Sequence, residues 1–252
     1  VRWPAEAIWQ AIEPLLPGFT VEILPELDST NSELMRRGRS GRTEPALLVA
    51  ERQTAGRGRM GREWHSQQGE SLTFSLAMTL APADWSGLSL AVGVCLAEAL
   101  HPDVRLKWPN DLWLHDRKLG GILIETASFG DSAPAARYGV VGVGINIAPR
   151  PSGGLSTPPA ALQELLPGQS AAQALIAVAQ PLVMALRTFE TSGFAPFQAR
   201  FNARDALRDR AVTLSDGSAG IARGVSKTGA LLVHTALAML AVTSSEVSVR
   251  PA

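Results

Sequence analysis

Ser71-Leu-Thr-Phe-Ser-Leu-Ala-Met-Thr-Leu80 alternates without a break, setting Leu72, Phe74, Leu76, Met78 and Leu80 against Thr73, Ser75, Ala77 and Thr79. A two-residue period puts the two sets on opposite faces of a strand. The pattern predicts a half-buried strand, and with it an antiparallel rather than a fully parallel sheet. Upstream, Ala46-Leu-Leu-Val-Ala50 predicts a buried strand that feeds directly into Glu51-Arg-Gln-Thr-Ala-Gly-Arg-Gly-Arg-Met-Gly-Arg-Glu-Trp64. There Gly56, Gly58 and Gly61 interleave with Arg52, Arg57, Arg59 and Arg62. Glycines at this density interrupt regular structure and let backbone N–H groups approach a ligand, while guanidinium groups supply forked donors for carboxylate and phosphate. Two readings follow: a loop closing over an anionic small molecule, or a solvated loop that touches RNA or nothing at all.

Toward the N-terminus, residues 4–16 read as an amphipathic helix with Ile8, Ile12 and Leu15 on one face, stopped by Pro17-Gly18. A strand is expected over Thr20–Leu24, leading to Asp28-Ser-Thr-Asn-Ser-Glu33. Thr30 with Glu33 three residues on is a capping-box pattern, and Gly38 suits the C-terminal stop. Such a helix start caps itself, and it also offers free N–H groups and short polar side chains to a ligand.

Toward the C-terminus, Leu88–Leu100 is apolar on almost every side and predicts a buried helix ended by His101-Pro102. Val104-Arg-Leu-Lys-Trp-Pro-Asn-Asp111 then puts Arg105 and Lys107 on one face of a short strand that ends in a Pro-Asn-Asp turn. Lys107 becomes a cation on rigid structure, with Asn110 and Asp111 placed to orient it. Leu112–Leu114 and Gly121–Glu125 read as neighbouring strands joined at Asp116-Arg117-Lys118. The strand Tyr138–Ile147 carries three glycines, against which a flat ligand can lie. Pro149–Pro159 is a lid-like loop, and Ser170–Glu190 a long amphipathic helix. From Asp205 the texture changes to short β-rich runs at Ala211–Leu214, Gly220–Gly224, Ala230–His234 and Val247–Val249, which read as a small β-barrel.

Composition narrows the classes. Hydrophobic residues make up 46% and charged residues 18%, as in ordinary globular proteins, and 23 Lys and Arg balance 23 Asp and Glu. A zero balance argues against non-specific DNA binding. The single Cys95 lies in an apolar run and forms no internal disulfide, which fits a reducing cytoplasm. No leader and no uninterrupted apolar run of membrane-spanning length is expected. No metal-ligand spacing, Ser/His/Asp order, paired carboxylates or Walker motif stands out.

Taken in order, Asp28-Ser-Thr-Asn31, Gln53-Thr-Ala-Gly-Arg-Gly-Arg-Met-Gly61, Lys107-Trp-Pro-Asn-Asp111, Lys118-Leu-Gly-Gly-Ile-Leu123 and Gly142-Val-Gly-Ile-Asn146 resemble the motifs of bacterial biotin–protein ligases, from about residue 24 to the chain end. The resemblance implies an α+β fold: a mixed sheet flanked by helices, like class II aminoacyl-tRNA synthetases, in residues 1–204, then an SH3-like barrel in 205–252. It implies a ligase that activates biotin with ATP and Mg2+ as biotinyl-5′-AMP and transfers it to a lysine of the biotin carboxyl carrier domain of acetyl-CoA carboxylase. By position, Lys107 and Arg59 would be the catalytic residues. Ser29, Thr30, Asn31, Gln53, Arg57, Gly58, Arg59 and Lys107 would hold biotin, and Arg57, Asn110, Asn146 and Arg250 the nucleotide, with no protein cage for a metal.

Departures from the family pattern set further expectations. About two dozen residues precede Asp28, too few for the helix-turn-helix module of many relatives, so no operator binding is expected. Met60 stands where a relative carries arginine, residues 149–159 offer no aromatic for adenine, and Thr243-Ser-Ser-Glu246 replaces a glycine-rich stretch. No dedicated base for the acceptor lysine is visible. The rivals are a lipoate–protein ligase, which shares the fold and the acyl-adenylate strategy, and a non-catalytic ligand sensor. Antiparallel sheet edges allow a homodimer.

Overall fold

The computed structural model describes residues 2–128, 136–150, 157–243 and 249–251. Its first part runs α1 (Ala5–Ile12), β1 (Thr20–Leu27), α2 (Thr30–Arg39), β2 (Ala46–Gln53), β3 (Ser71–Leu80), α3 (Leu88–Leu100), β4 (Arg105–Lys107), β5 (Asp111–Leu114), β6 (Arg117–Ala127) and β7 (Arg137–Asn146). Two helices follow, α4 (Ala171–Ser192) and α5 (Gln198–Arg204). The chain then forms β8 (Ala211–Leu214), β9 (Ala219–Val225), β10 (Leu231–His234), β11 (Met239–Val242) and β12 (Val249–Pro251). The first seven strands make one mixed sheet, ordered β1-β2-β3-β7-β6-β5-β4, in which only β1 and β2 run parallel. The last five make a separate antiparallel sheet, β11-β10-β9-β8-β12.

Strand β3 lies between β2 and β7, and every residue except Thr79 is buried. The half-buried expectation is corrected here. Leu72, Phe74, Leu76, Met78 and Leu80 enter the main core, beside α3 and α4. On the other face Ser75 meets Thr30 and Asn31 at the start of α2, and Thr73 Oγ1 donates to Ala50 O at 2.6 Å. The alternation separates an apolar core from a polar interior, not core from solvent.

Helix α3 is apolar all round because it is enclosed, with ten of its thirteen residues buried. Helix α4 begins with a capping box, Ser170 with Gln173, and is long and apolar enough to cross a membrane by length and composition. Its Val178, Leu182, Leu186 and Phe189 belong to the core.

Several local expectations shift for identifiable reasons. Helix α1 ends at Ile12 because Pro14 has no N–H to continue the ladder; Leu16, not Leu15, is buried in the following turn. Strand β1 continues past Pro25 to Leu27, which an edge strand tolerates. Ser29, not Thr30, caps α2, accepting from Ser32 N at 3.4 Å, since the Thr30 hydroxyl is engaged within the fold. Gly38 stays inside that helix, and the left-handed residue after it is Gly41, with φ +85°. His115 and Asp116, with φ of 47° and 60°, form the tight turn from β5 to β6, one residue ahead of the expected Asp116–Lys118. Strand β11 escaped prediction because Met239, Leu240 and Ala241 are all exposed and carry no alternation. The expected strand Val247–Val249 lies largely outside the described residues; β12 starts at Val249.

The C-terminal sheet is tied to the strand that carries Lys107. Val212, Val225, Leu231 and Val233 belong to the same contiguous core as the large sheet. The buried Trp108 Nε1 donates to Gly229 O at 3.1 Å, and Ala206 N donates to Leu106 O at 2.8 Å.

Asp205 sits at this junction. Its Oδ1 accepts from Leu207 N at 2.9 Å, while Oδ2 is buried with no partner. Burial pushes the carboxyl up to about 6, against the lowering effect of the Leu207 bond. An acid raised in the folded state holds its proton more tightly there, so stability falls as pH rises from about 4 to about 6 and is level above. Asp205→Asn removes that slope. Urea denaturation should show Asn gaining on wild type by about 1–2 kcal/mol between pH 4.5 and 7.5.

Candidate active site

The first wall of the site is the start of α2. Ser29, Thr30 and Asn31 are each only 3% exposed. Thr30 N donates to Gln53 Oε1 at 2.8 Å, and the Thr30 hydroxyl lies 3.1 Å from the same oxygen, joining the helix start to the end of β2. Gln53 is held in turn by Ser66, whose Oγ accepts from Gln53 N at 2.7 Å. Asn31 Nδ2 crosses to β6, donating to Leu123 O at 3.2 Å and Glu125 Oε2 at 2.9 Å. Asp28 faces away: Arg36 grips its carboxylate and holds it down at about 2.

Strand β7 forms the floor, and its glycines are spaces already filled. A Cβ on Gly142 would lie 2.2 Å from Asn31 Oδ1, and one on Gly144 would lie 2.4 Å from the Trp64 ring. The expected strip for a flat ligand does line the cavity, with Asn31 and the Trp64 indole lying close against Gly142 and Gly144. Trp64 also carries the Arg150 guanidinium 5.7 Å from its ring centroid. Its Nε1 is buried without a partner.

The arginine-glycine loop folds back as a small hairpin, with Trp64 N donating to Gly56 O at 2.9 Å and Gly58 N to Arg62 O at 2.7 Å. Met60 (φ 57°) and Gly61 (φ 70°) make its tip. Arg57 Nη2 reaches Glu125, 3.1 and 3.0 Å from its two oxygens, and Arg59 Nη1 donates to Asn110 Oδ1 at 3.4 Å. Burial pulls the Arg59 guanidinium below its ordinary value, opposed by the charge of Asp111. An arginine so placed stays protonated.

The far wall holds Lys107, whose Nζ lies 5.2 Å from the Trp113 ring centroid, at the end of β4. Asn110 Nδ2 donates to Ile122 O at 2.8 Å, which fixes its carboxamide. Lys118 pairs with Asp111 at 2.8 Å, so the motif aspartate orients a second lysine.

These walls enclose one cavity of about 510 Å³. Of the expected residues, Ser29, Thr30, Asn31 and Gln53 line its neutral polar end, Arg57, Gly58 and Arg59 its lid side, and Lys107 and Asn110 its far wall. Asn146 stands behind the lining, fully buried, with Nδ2 donating to Lys118 O and Ala160 O and Oδ1 unpartnered. The backbone of Arg250 pairs with Thr213 in β12; its side chain lies outside the described residues, as does most of the lid-like loop 149–159. Sequence reasoning missed Trp64, Lys118 and Arg150 as lining residues, and Ser75 and Glu125 beneath them. Six cations line the cavity (Arg57, Arg59, Arg62, Lys107, Lys118 and Arg150) against the carboxylates of Glu63 and Asp111. In a chain of zero net charge, that is a concentrated positive site for an anion. Among the described residues no cluster of His, Cys, Asp and Glu is suited to hold a metal ion. Burial pushes the Cys95 thiol up to about 12, which removes it as a nucleophile.

Residues 24–146 match the model of the biotin/lipoate A/B protein ligase family. The chain is 40% identical to the bifunctional ligase/repressor BirA of Escherichia coli over 87% of its length and 70% of that protein. It is 31% identical to the biotin–[acetyl-CoA-carboxylase] ligase of Paracoccus denitrificans over 89% of its length and 98% of that protein. Among solved structures it superposes, at TM-score 0.75 and 29% identity, on the biotin protein ligase of Aquifex aeolicus in complex with biotin and ATP, covering 92% of this chain and 99% of that one. The chain belongs to the biotin protein ligases of this family.

Trp64 offers a direct check on the floor. Gly144→Ala leaves the indole no seat and should expel it. The emission attributable to Trp64, obtained by subtracting the matching Trp64→Phe variant, should be that of a buried indole in wild type and of a solvated one in Gly144→Ala.

Proposed function

We infer that this chain activates biotin with ATP, forming biotinyl-5′-AMP and pyrophosphate, and then transfers the biotinyl group to a lysine of a biotin carboxyl carrier domain. The carrying observation is the lining of this cavity, which sets the interlocked neutral hydrogen-bonding groups of Ser29, Thr30, Asn31 and Gln53 with a far wall that carries Lys107 and with further cations around them. Biotin has groups to match both, a neutral ureido ring and a carboxylate, and ATP adds phosphates beside the carboxylate. Lipoate has an apolar dithiolane in place of the urea and would leave the buried polar groups of Thr30, Asn31 and Gln53 without a matching ligand.

In the first half-reaction a carboxylate oxygen attacks the α-phosphorus and pyrophosphate leaves. Two anions must meet, so the protein's task is positioning and charge neutralisation more than proton transfer. We assign Lys107 to the carboxylate and α-phosphate, because it is fixed at a strand end beside Trp113. Ser29, Thr30, Asn31 and Gln53 take the ring, while Arg57, Gly58 and Arg59 close over the intermediate and exclude water that would hydrolyse it. Asn110 and Arg250 are assigned to the nucleotide, and Asn146 to the support of that region from behind the lining, through Lys118 O and Ala160 O. Trp64 supplies the aromatic surface for adenine that the 149–159 segment lacks. Magnesium arrives with ATP, bound by its phosphates. In the second half-reaction the lysine amine attacks the acyl carbon, AMP departs and the amine loses a proton.

The same reading puts the acceptor on acetyl-CoA carboxylase and the protein in the cytoplasm. It divides the chain into a catalytic unit, 1–204, and an SH3-like unit, 205–252, and leaves β1 as the edge through which two copies would pair.

Lys107→Ala is the test of the central assignment. Pyrophosphate release that depends on both biotin and ATP should fall at least about 100-fold, with unchanged far-ultraviolet circular dichroism. Near-normal adenylation by this variant would remove Lys107 from its role, and no biotin-dependent release by wild type would refute the ligase reading.

A further inference from the structure

Beneath the neutral end of the cavity, one buried hydroxyl stands in a position that only one proton arrangement satisfies. Ser75, 0% exposed, has its Oγ 2.6 Å from Asn31 Oδ1 and 2.7 Å from Thr30 Oγ1. The Asn31 carboxamide has a fixed orientation. Its nitrogen faces Leu123 O and Glu125 Oε2, both acceptors, so the oxygen must face Ser75. A carbonyl oxygen brings no proton, so the contact at 2.6 Å uses the one proton of Ser75. The contact at 2.7 Å then needs the proton of Thr30. Thr30 has nothing left for Gln53 Oε1, which at 3.1 Å is the longest of the three contacts and is already satisfied by Thr30 N at 2.8 Å.

The protons thus run one way, from Thr30 to Ser75 to Asn31, and from the Asn31 amide to Glu125. We propose that Glu125, Asn31 and Ser75 form a hydrogen-bond relay that presents Thr30 Oγ1 to the cavity as an acceptor, which makes Ser75 and Glu125 positioning and specificity residues for a substrate ring N–H. Thr30 lines the cavity, and Ser75 and Glu125 do their work from behind it. The chain of bonds starts at a carboxylate, which polarises each member toward Thr30. The same carboxylate holds Arg57, so the position of the arginine loop and the polarity of the pocket floor meet at one side chain. The inference rests on the biotin reading above and deepens it: a ureido ring offers N–H groups to such an acceptor, and a ring without N–H gains nothing from it.

Calorimetric titration of the intact protein with biotin, and with cyclic-carbamate analogues in which one or the other ring N–H is replaced by oxygen, tests the relay. Wild type should bind one of the two analogues at least about tenfold more weakly than biotin. In Ser75→Ala the Thr30 proton loses the acceptor that fixes it and turns between Gln53 Oε1, 3.1 Å away, and the ligand, so the preference for biotin over that analogue should fall to about two- to threefold. Glu125→Ala should reduce the preference in the same direction; Glu125 is partly exposed, so this variant carries the test if Ser75→Ala does not fold. An unchanged preference in a folded variant, or equal binding of biotin and both analogues by wild type, overturns the relay. A wild-type protein that does not bind biotin refutes the reading of the pocket itself, an outcome distinct from binding with an unaltered preference.

Discussion

Everything in the site depends on the pairing of β3 with β7. Ten residue pairs run in unbroken register, from Ser71 opposite Asn146 to Leu80 opposite Arg137. Residues directly opposite in an antiparallel pair share a face, so Ser75 lies beside Gly142 and Thr73 beside Gly144. On the other side β6 pairs with β7, setting Leu123 opposite Gly142, Gly121 opposite Gly144 and Glu125 opposite Val140 on that same face. A slip of one residue would turn Phe74 and Leu76 into the cavity and Ser75 into the core. The five leucine, phenylalanine and methionine side chains of β3, all buried in the main core, forbid that slip. The apolar face of the strand therefore fixes where the polar face puts its hydroxyl groups.

The cations that line the cavity are held by different means. Lys118 has Asp111, Arg57 has Glu125, Lys107 rests near the Trp113 ring, and Arg150 near Trp64. Each is placed by one partner, while the cavity as a whole keeps an excess of positive charge. Like charges this close repel, and a bound anion relieves the repulsion most strongly where the walls exclude water. The arrangement favours a ligand whose negative charge grows among these cations, as it does when a carboxylate and a triphosphate are brought together.

Much of this was legible in the sequence, and what was not has a common cause. The arginine-glycine loop, the Lys107 motif and the glycine strand are local patterns, and their order along the chain identified the family. Ser75 and Glu125 had no local signature. Ser75 meets Thr30 and Asn31 across 45 and 44 residues, and Glu125 meets Asn31 across 94. The polar face of β3 read as a solvent face because alternation reports two environments and not which one is wet. Thr30 read as the helix cap because its spacing to Glu33 is right, yet its hydroxyl is committed to a tertiary network and Ser29 caps instead. Trp64 was quoted with the loop, but its importance comes from the absence of a side chain on Gly144, eighty residues on.

A polar interior of this kind is costly unless every group has a partner, since a buried donor or acceptor left open loses about 1–3 kcal/mol. Here Thr30, Asn31, Gln53 and Ser75 satisfy one another in the free protein, using protons that the chain already owns. The pocket needs no ligand to be ordered, and a ligand entering it meets side chains already locked in direction. Pre-organisation of that sort lowers the entropy cost of binding and concentrates discrimination in the few lone pairs left facing the cavity. It also explains why Gly142 must be bare: the Asn31 oxygen that fixes the direction of the network sits where any Cβ would be. The direction of the network and the absence of a side chain on a central strand are thus two consequences of one steric fact.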